Sequence, residues 1–348
     1  MTMKTLGLFL LAVLLSTTLS LLLFQKWFNK PAPIVQVAHT GDALVRVAEL
    51  SKSAVVYVQS ANMSKISGQP GPEDFKRGSG IIISQDGFVI TNYHVVSGNP
   101  NIELLVDEHY QYSARVVGVD STHDLALLRI QAAGLSFLPF GNSDSLHVGE
   151  QILTVGNPNG LLSSVTSGII SGLDRDYRFP GNATTSFIQI DAPTSEGSSG
   201  GAIVNVHGEL VGVTVGIVST PGTREGFAFA IPSNLVNRIV HDLTKHGTLV
   251  KGSLGMSIRK VNQEIASQSK LSEIYGVVVE TLVPGGAADM AGIQSLDVML
   301  YINGSKINSV PDFQDKWRSY YPGDKLDIIV NRLGVVDTVQ MIIQKANE

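Results

Sequence analysis

The sequence predicts a mostly β domain followed by a smaller α/β unit, with an apolar helix ahead of both. Three observations carry this. First, residues from about Asp42 to Ile231 fall into short β-branched runs broken by turn signals: AVVYV, GIIIS, FVITN, ARVVGV, LALLRI, QILTVG, GIISGL and IVNVHGELVGVTV. Many short strands with Gly-rich turns argue for an all-β barrel or sandwich. Second, beyond about Gly252 such strands alternate with short helical patterns. Third, the 19 residues from Leu6 to Phe24 carry no charge.

Taken in chain order, the Leu6–Phe24 run would as a helix be about 28 Å long, enough to cross a bilayer core. It ends in LLLFQKWF with no small-x-small site, and Trp27 stands where an interfacial anchor would. A retained transmembrane anchor is therefore expected over a cleaved signal peptide. Lys4 lies on one side of the run, and Lys26 and Lys30 on the other. Charge alone thus leaves the orientation open. The Pro-bearing stretch KWFNKPAPIVQVAHTG reads as a tether.

Within the β domain, QDG between GIIIS and FVITN predicts a hairpin. The polar, turn-rich segment from Ser60 to Arg77 predicts a loop. Ser233 is the expected N-cap of NLVNRIVHDLTKH, with apolar residues at helical spacing and Gly247 as the stop. The second unit reads as strand GVVVETL, a short helix in GGAADMAG, strand LDVMLYINGSKI with an Asn303-Gly304 turn, a helix near DFQDKWRSY, and two closing strands.

A chain of 348 residues is long enough for two domains, or for one large domain plus extras, and 43% hydrophobic with 16% charged residues describes a globular protein with a real core. The net charge of −5 is spread without blocks of one sign, which argues against nucleic acid as a partner. No cysteine is present, so disulfides, thiolate metal ligands and a thiol nucleophile are excluded.

EGSSGG (196–201) is either a flexible turn or a nucleophile turn, and its residues alone do not choose between Ser198 and Ser199. A serine nucleophile needs a base and a carboxylate to orient that base. His94, in TNYHVV at the end of an apolar strand, is the candidate base. Asp124, which opens the strand in HDLALLRI, is the candidate carboxylate. His, Asp, Ser in that order within an all-β domain is the order of chymotrypsin-type proteases. His109, His147, His207, His241 and His246 read as surface or turn residues, and His123 as a neighbour of the site. Asp120 and Asp191 read as turn formers or supporting groups.

These segments resemble the HtrA (Deg) family of PDZ-bearing serine proteases. The matching motifs are GSGIII (78–83), TNYHVV (91–96), DSTHDLALLRI (120–130), VGNPNG (155–160), TSGIISGL (166–173), IQIDAPTSEGSSGGAIVN (188–205) and GFAFAIP (226–232). The resemblance continues through GSLGMSI (252–258) and VETLVPGGAADMAGIQSLDVMLYINGSKI (279–307). It implies an all-β, chymotrypsin-like double β-barrel protease domain over 42–251 and a smaller α/β PDZ-like domain over 252–348. Ahead of them would lie a cytoplasmic end and transmembrane anchor over 1–25 and a tether over 26–41.

The resemblance further implies a catalytic triad of His94, Asp124 and Ser199, with an oxyanion hole from the N–H groups of Gly197 and Ser199. It implies a carboxylate-binding loop at Ser253, Leu254, Gly255 and Met256, and an activation-sensing arginine at Arg175 or Arg178. No metal or cofactor is expected. A single PDZ-like domain, a retained anchor and a short loop at 60–77 are similar to the membrane-anchored stress-sensor branch. That branch implies a homotrimer in the bacterial inner membrane with its folded domains in the periplasm. Its substrate would be a membrane-spanning anti-sigma factor, and its activators the C-terminal peptides of unassembled outer-membrane proteins. The alternatives are a general envelope quality-control protease and a non-proteolytic PDZ scaffold or chaperone.

Four positions depart from the family pattern. Ser198 stands in place of Asn, Ile190 in place of Thr, Thr194-Ser195-Glu196-Gly197 in place of an I-N-x-G loop, and Ser253 in place of an aromatic residue.

Overall fold

A computed structural model describes residues 40–62, 75–107, 109–177, 185–219 and 226–346. The expected anchor, nearly all of the tether, most of the 60–77 loop and Arg178 lie outside these residues. Among the described residues no helix is long and apolar enough to cross a membrane.

A helix, α1 (Thr40–Lys52), precedes two closed six-stranded antiparallel barrels. The first runs β1 (Val55–Ala61), β2 (Phe75–Ile82), β3 (Phe88–Asn92), the one-turn helix α2 (Tyr93–Val96), β4 (Asn101–Val106), β5 (Tyr110–Asp120) and β6 (Leu125–Arg129), closed in the order β1-β2-β3-β6-β5-β4. The second runs β7 (Gln151–Gly156), β8 (Ser164–Tyr177), β9 (Thr185–Ile190), β10 (Ala202–Asn205), β11 (Leu210–Ser219) and β12 (Gly226–Pro232), closed in the order β10-β11-β12-β9-β8-β7. Closure leaves no exposed sheet edge, the reason short strands of this kind persist in water.

Three apolar clusters build these barrels. Val56, Val58, Ile82, Val89, Leu104 and Leu128 fill the first. Ile152, Ile170, Ile188, Ile190 and Ile203 fill the second. A third cluster, including Ile81, Ile90, Leu125, Val155 and Val213, joins them. It also takes up one face of α3 (Ser233–His246) through Leu235, Val236, Ile239 and Leu243. Each such side chain contributes about 1.5–3 kcal/mol of transfer free energy. Ile190, a departure from the family pattern, is wholly buried in the second barrel.

Two local expectations change. Ser233 is the first helical residue rather than the cap: Pro232 holds the N-cap position, and the Ser233 hydroxyl donates to Gly141 O at 2.8 Å. His94 sits on α2, just past β3, rather than at a strand end. Gly247 ends α3 as expected, with φ of 69° and its N–H on Leu243 O.

The second unit contains β13 (Gly252–Ser253), β14 (Met256–Lys260), α4 (Gln263–Gln268), β15 (Val277–Leu282), α5 (Ala287–Met290), β16 (Val298–Ile302), β17 (Ser305–Lys306), α6 (Val310–Arg318), β18 (Lys325–Arg332), β19 (Val335–Ile342) and β20 (Gln344–Lys345). Its main sheet has the order β14-β15-β16-β18-β19, so β14 is an edge strand. Phe313 of α6 is buried in the core with Val279, Met299, Leu326 and Ile328. Asn303 and Gly304 both have positive φ, as the predicted tight turn requires.

Candidate active site

The site forms where the two barrels meet. Asp124 takes φ of 57° just before β6, a left-handed conformation that Asp tolerates better than most residues. Its carbonyl accepts the Tyr93 N–H at 3.0 Å and the Asn92 side-chain amide at 2.9 Å. These bonds tie the turn to the end of β3. The carboxylate, 4% exposed, accepts the His94 main-chain N–H at 2.8 Å and lies 2.6 Å from His94 Nδ1. An ionised carboxylate only accepts, so Nδ1 carries the proton and Nε2 is left as the basic nitrogen. The His94 side chain is half exposed.

Lys76 supports the same helix, donating to His94 O at 3.1 Å and Ser97 O at 2.8 Å. It supplies a cation to carbonyls that a one-turn helix cannot satisfy internally.

The nucleophile turn leads into β10. Gly197 has φ of 92° and Gly200 φ of 81°, both in the region glycine favours. Ser198 N–H donates to Ser195 O, Gly200 N–H to Thr214 O, and Gly201 N–H to Ser198 O. Among the described residues the N–H groups of Gly197 and Ser199 have no hydrogen-bond acceptor. These are the two donors the sequence assigns to an oxyanion. Ser199 Oγ donates to Val215 O at 3.1 Å, with no bond to His94. A pocket of about 230 Å³ opens beside it, bounded by Thr194, Glu196, Ser199, Gly216 and Ala228.

The structure therefore pairs His94 with Asp124 and runs the nucleophile turn alongside α2: a Cβ on Gly78 would touch both Val95 and Ser199 O, and one on Gly200 would lie 3.1 Å from Asn92 N. Arg175 lies apart from it on β8, exposed and folded back over Gly172. Ser253, Leu254, Gly255 and Met256 lie in the second unit, around the start of edge strand β14. They line a cavity of about 630 Å³ together with α6, His123 of the turn before β6 and α3 residues such as Arg238. Among the described residues no cluster of acidic and histidine side chains has the form of a metal site.

His123, expected only as a neighbour of the site, has buried acidic partners that no local sequence signal announces. Its ring Nδ1 pairs with Asp120, and its Nε2 faces Asp315 of α6 at 4.0 Å. Burial works against the Asp120 charge, but the His123 imidazole and the N–H groups of Thr122 and His123 outweigh it and hold the carboxyl below its ordinary value. Asp315 Oδ2 accepts the Ser186 N–H at 2.8 Å, and Asn308 donates to Asp174 at 2.7 Å. Arg238 of α3 reaches Arg318 O and stacks on Tyr321 with its guanidinium 3.2 Å from the ring centroid.

Residues 78–213 match the trypsin-like peptidase domain family, and residues 252–343 match the PDZ domain family. The "probable periplasmic serine endoprotease DegP-like" of Chlamydia trachomatis serovar D is 37% identical over 266 residues, covering 76% of this chain and 53% of the relative. The "probable periplasmic serine protease do/HhoA-like" of Haemophilus influenzae is 35% identical over 269 residues, covering 77% and 58%. The chain spans a little over half the length of these curated relatives. Among solved structures, the HtrA-type protease AlgW with tripeptide is 30% identical with a TM-score of 0.68, covering 87% of this chain and 97% of that one. The serine endoprotease from Yersinia pestis is also 30% identical, with a TM-score of 0.57 and coverage of 87% and 98%.

Proposed function

Because the chain belongs to the HtrA family of PDZ-bearing serine proteases, we propose that it is a serine endopeptidase of the bacterial envelope, of the membrane-anchored DegS type. The observation that carries the reading is the pairing of His94 with Asp124 close to a serine turn whose Gly197 and Ser199 N–H groups have no acceptor among the described residues. Ser199 Oγ attacks a peptide carbonyl while His94 Nε2 takes its proton. The imidazolium returns that proton to the departing amine, and water then hydrolyses the acyl-enzyme by the same route. Asp124 holds the tautomer and stabilises the imidazolium, and the two N–H groups receive the oxyanion.

The free edge of β14 and the loop at 253–256 suit capture of a peptide C-terminus by strand addition. In this reading, C-termini of unassembled outer-membrane proteins bind there and activate a homotrimer that cuts the periplasmic part of an anti-sigma factor. The Ser199 hydroxyl, bonded to Val215 O, supports a resting site that waits for such a signal. Activation requires the peptide to bind the active form better than the resting one, since equal affinity shifts nothing. A second reading, broad quality-control proteolysis, draws on the DegP-like names of the relatives.

A fluorophosphonate probe tests the chemistry. It labels the wild type at Ser199, faster with activating peptide, and leaves Ser199→Ala unlabelled. Labelling that persists in Ser199→Ala overturns the assignment of Ser199 as nucleophile, whereas peptide binding without any cleavage overturns the protease reading in favour of a PDZ scaffold. Rapid peptide-independent casein digestion selects the quality-control reading.

A further inference from the structure

Ser79 lies wholly buried in β2, where the first barrel passes beneath the nucleophile turn. The two free oxyanion donors belong to the peptide planes 196–197 and 198–199. The plane between them is pinned at both ends. Its carbonyl, Gly197 O, accepts from Ser79 Oγ at 2.8 Å, and its N–H, on Ser198, donates to Ser195 O at 3.0 Å. Asn157 N–H donates to the same Ser79 oxygen at 2.8 Å, so the single hydroxyl proton is committed to Gly197 O.

The rest of the residue is bound to the same region. Ser79 N–H donates to Ser199 O at 2.8 Å, and Thr91 Oγ1 donates to Ser79 O at 2.7 Å. One residue of the first barrel thus grips the carbonyls on either side of the nucleophile turn, which belongs to the second. Gly197, at φ of 92° and without a Cβ, supplies little restraint of its own.

We infer that Ser79 is a positioning residue for the proposed reaction, holding the oxyanion hole in register through the Gly197 carbonyl without touching substrate. The inference rests on the serine-protease reading. A donor displaced from the oxyanion weakens stabilisation in the transition state, whereas ground-state peptide binding needs no such alignment.

Ser79→Ala strands Gly197 O and Asn157 N–H together. Ser233→Ala is the matched control, since Ser233 is equally buried and donates to Gly141 O at 2.8 Å away from the turn. With activating peptide present, Ser79→Ala is expected to lower kcat about 10- to 100-fold, somewhat below the loss of a whole oxyanion donor, and to leave KM within about threefold. Affinity for a peptide aldehyde, whose adduct places an oxyanion in the hole, falls in parallel with kcat. Ser233→Ala lowers thermal stability comparably and leaves both quantities unchanged.

Should Ser79→Ala not fold, Ser79→Cys, which keeps a weaker donor, shows the same parallel loss to a smaller extent. Wild-type kcat in a folded Ser79→Ala or Ser79→Cys variant, or a kcat loss with unchanged aldehyde affinity, overturns the inference. Absence of fluorophosphonate labelling in the wild type overturns the protease reading itself, so the two failures are distinguishable.

Discussion

At the scale of single residues, the site depends on groups whose neighbours leave them no alternative. Asp124 is buried, left-handed and bonded to His94 through both its main-chain N–H and its ring. Asp124→Asn keeps the volume, yet its amide can donate to Nδ1 and so stabilises the wrong tautomer. The expected result is a kcat loss of about 10⁴-fold with little change in thermal stability, read by cleavage assay and calorimetry. Gly200 is constrained differently. A Cβ there would collide with Ser79 O, and φ is 81°. Gly200→Ala is therefore expected to lose both activity and stability, with melting reduced by several degrees at least. A Gly200→Ala variant with native melting would show that the turn has more room than these contacts imply.

At the scale of elements, legibility follows how local the determining physics is. The QDG and Asn303-Gly304 turns are readable because positive φ selects residue type within a few positions. The strands are readable because β-branched runs have to close on one another. α1 is less so: its inward face, Leu44, Val47, Ala48 and Ser51, spans only two turns, with Leu44 and Ala48 only partly buried, and it follows the tether directly. His94, Asp124 and the serine turn stand out as a set because their chain order carries information, with Ser199 chosen over Ser198 only by the family resemblance, while Ser79 does not stand out. Its motif GSG reads as a glycine-rich strand, and its bonds to residues 157, 197 and 199 exist only after the barrels meet.

The loop before β14 carries a prediction at this scale. Ser253 Oγ accepts the Gly255 N–H at 3.2 Å, and a peptide carboxylate bound as proposed would compete for that donor. Ser253→Ala frees it, and affinity for a C-terminal peptide is expected to rise about 2- to 10-fold by fluorescence anisotropy. Gly255→Ala, at φ of 66° with a Cβ only 2.8 Å from Gly286 Cα, is expected to lose binding. Unchanged or weaker binding in Ser253→Ala would mean that the hydroxyl helps hold the carboxylate.

At the scale of the whole molecule, the PDZ-like unit meets the barrels through titratable groups, so the contact should respond to pH. Asp315 of α6 is only 12% exposed, and its Oδ1 has no hydrogen-bond partner. Burial pushes its carboxyl up to about 6, with Asp312 acting in the same direction; the His123 imidazole, the Ser186 N–H and Arg318 pull the other way. Asp120 also faces His123 from the barrel side. Released from the contact, Asp315 returns to the ordinary value of 3.8. Between about pH 4 and 6 the docked form therefore binds more protons than the released one. Docking strengthens as pH falls through that window, weakens as pH rises towards 6, and levels off above it, with a total span of at most roughly 3 kcal/mol.

The Ser186 amide reports on this contact because its N–H bonds Asp315 directly. Its hydrogen-exchange protection, corrected for intrinsic exchange rates, is expected to be greater at pH 5 than at pH 7.5. In Asp315→Asn, which accepts the same N–H without a charge to bury, protection should be nearly equal at the two values. Equal protection in the wild type would mean that Asp315 is solvated in the docked state. Since His123, which faces Asp315 at 4.0 Å, directly precedes Asp124 in the chain, a pH-dependent contact also predicts, under the proposed peptide activation, that acid shifts the peptide concentration needed for activation, and that Asp315→Asn flattens that shift.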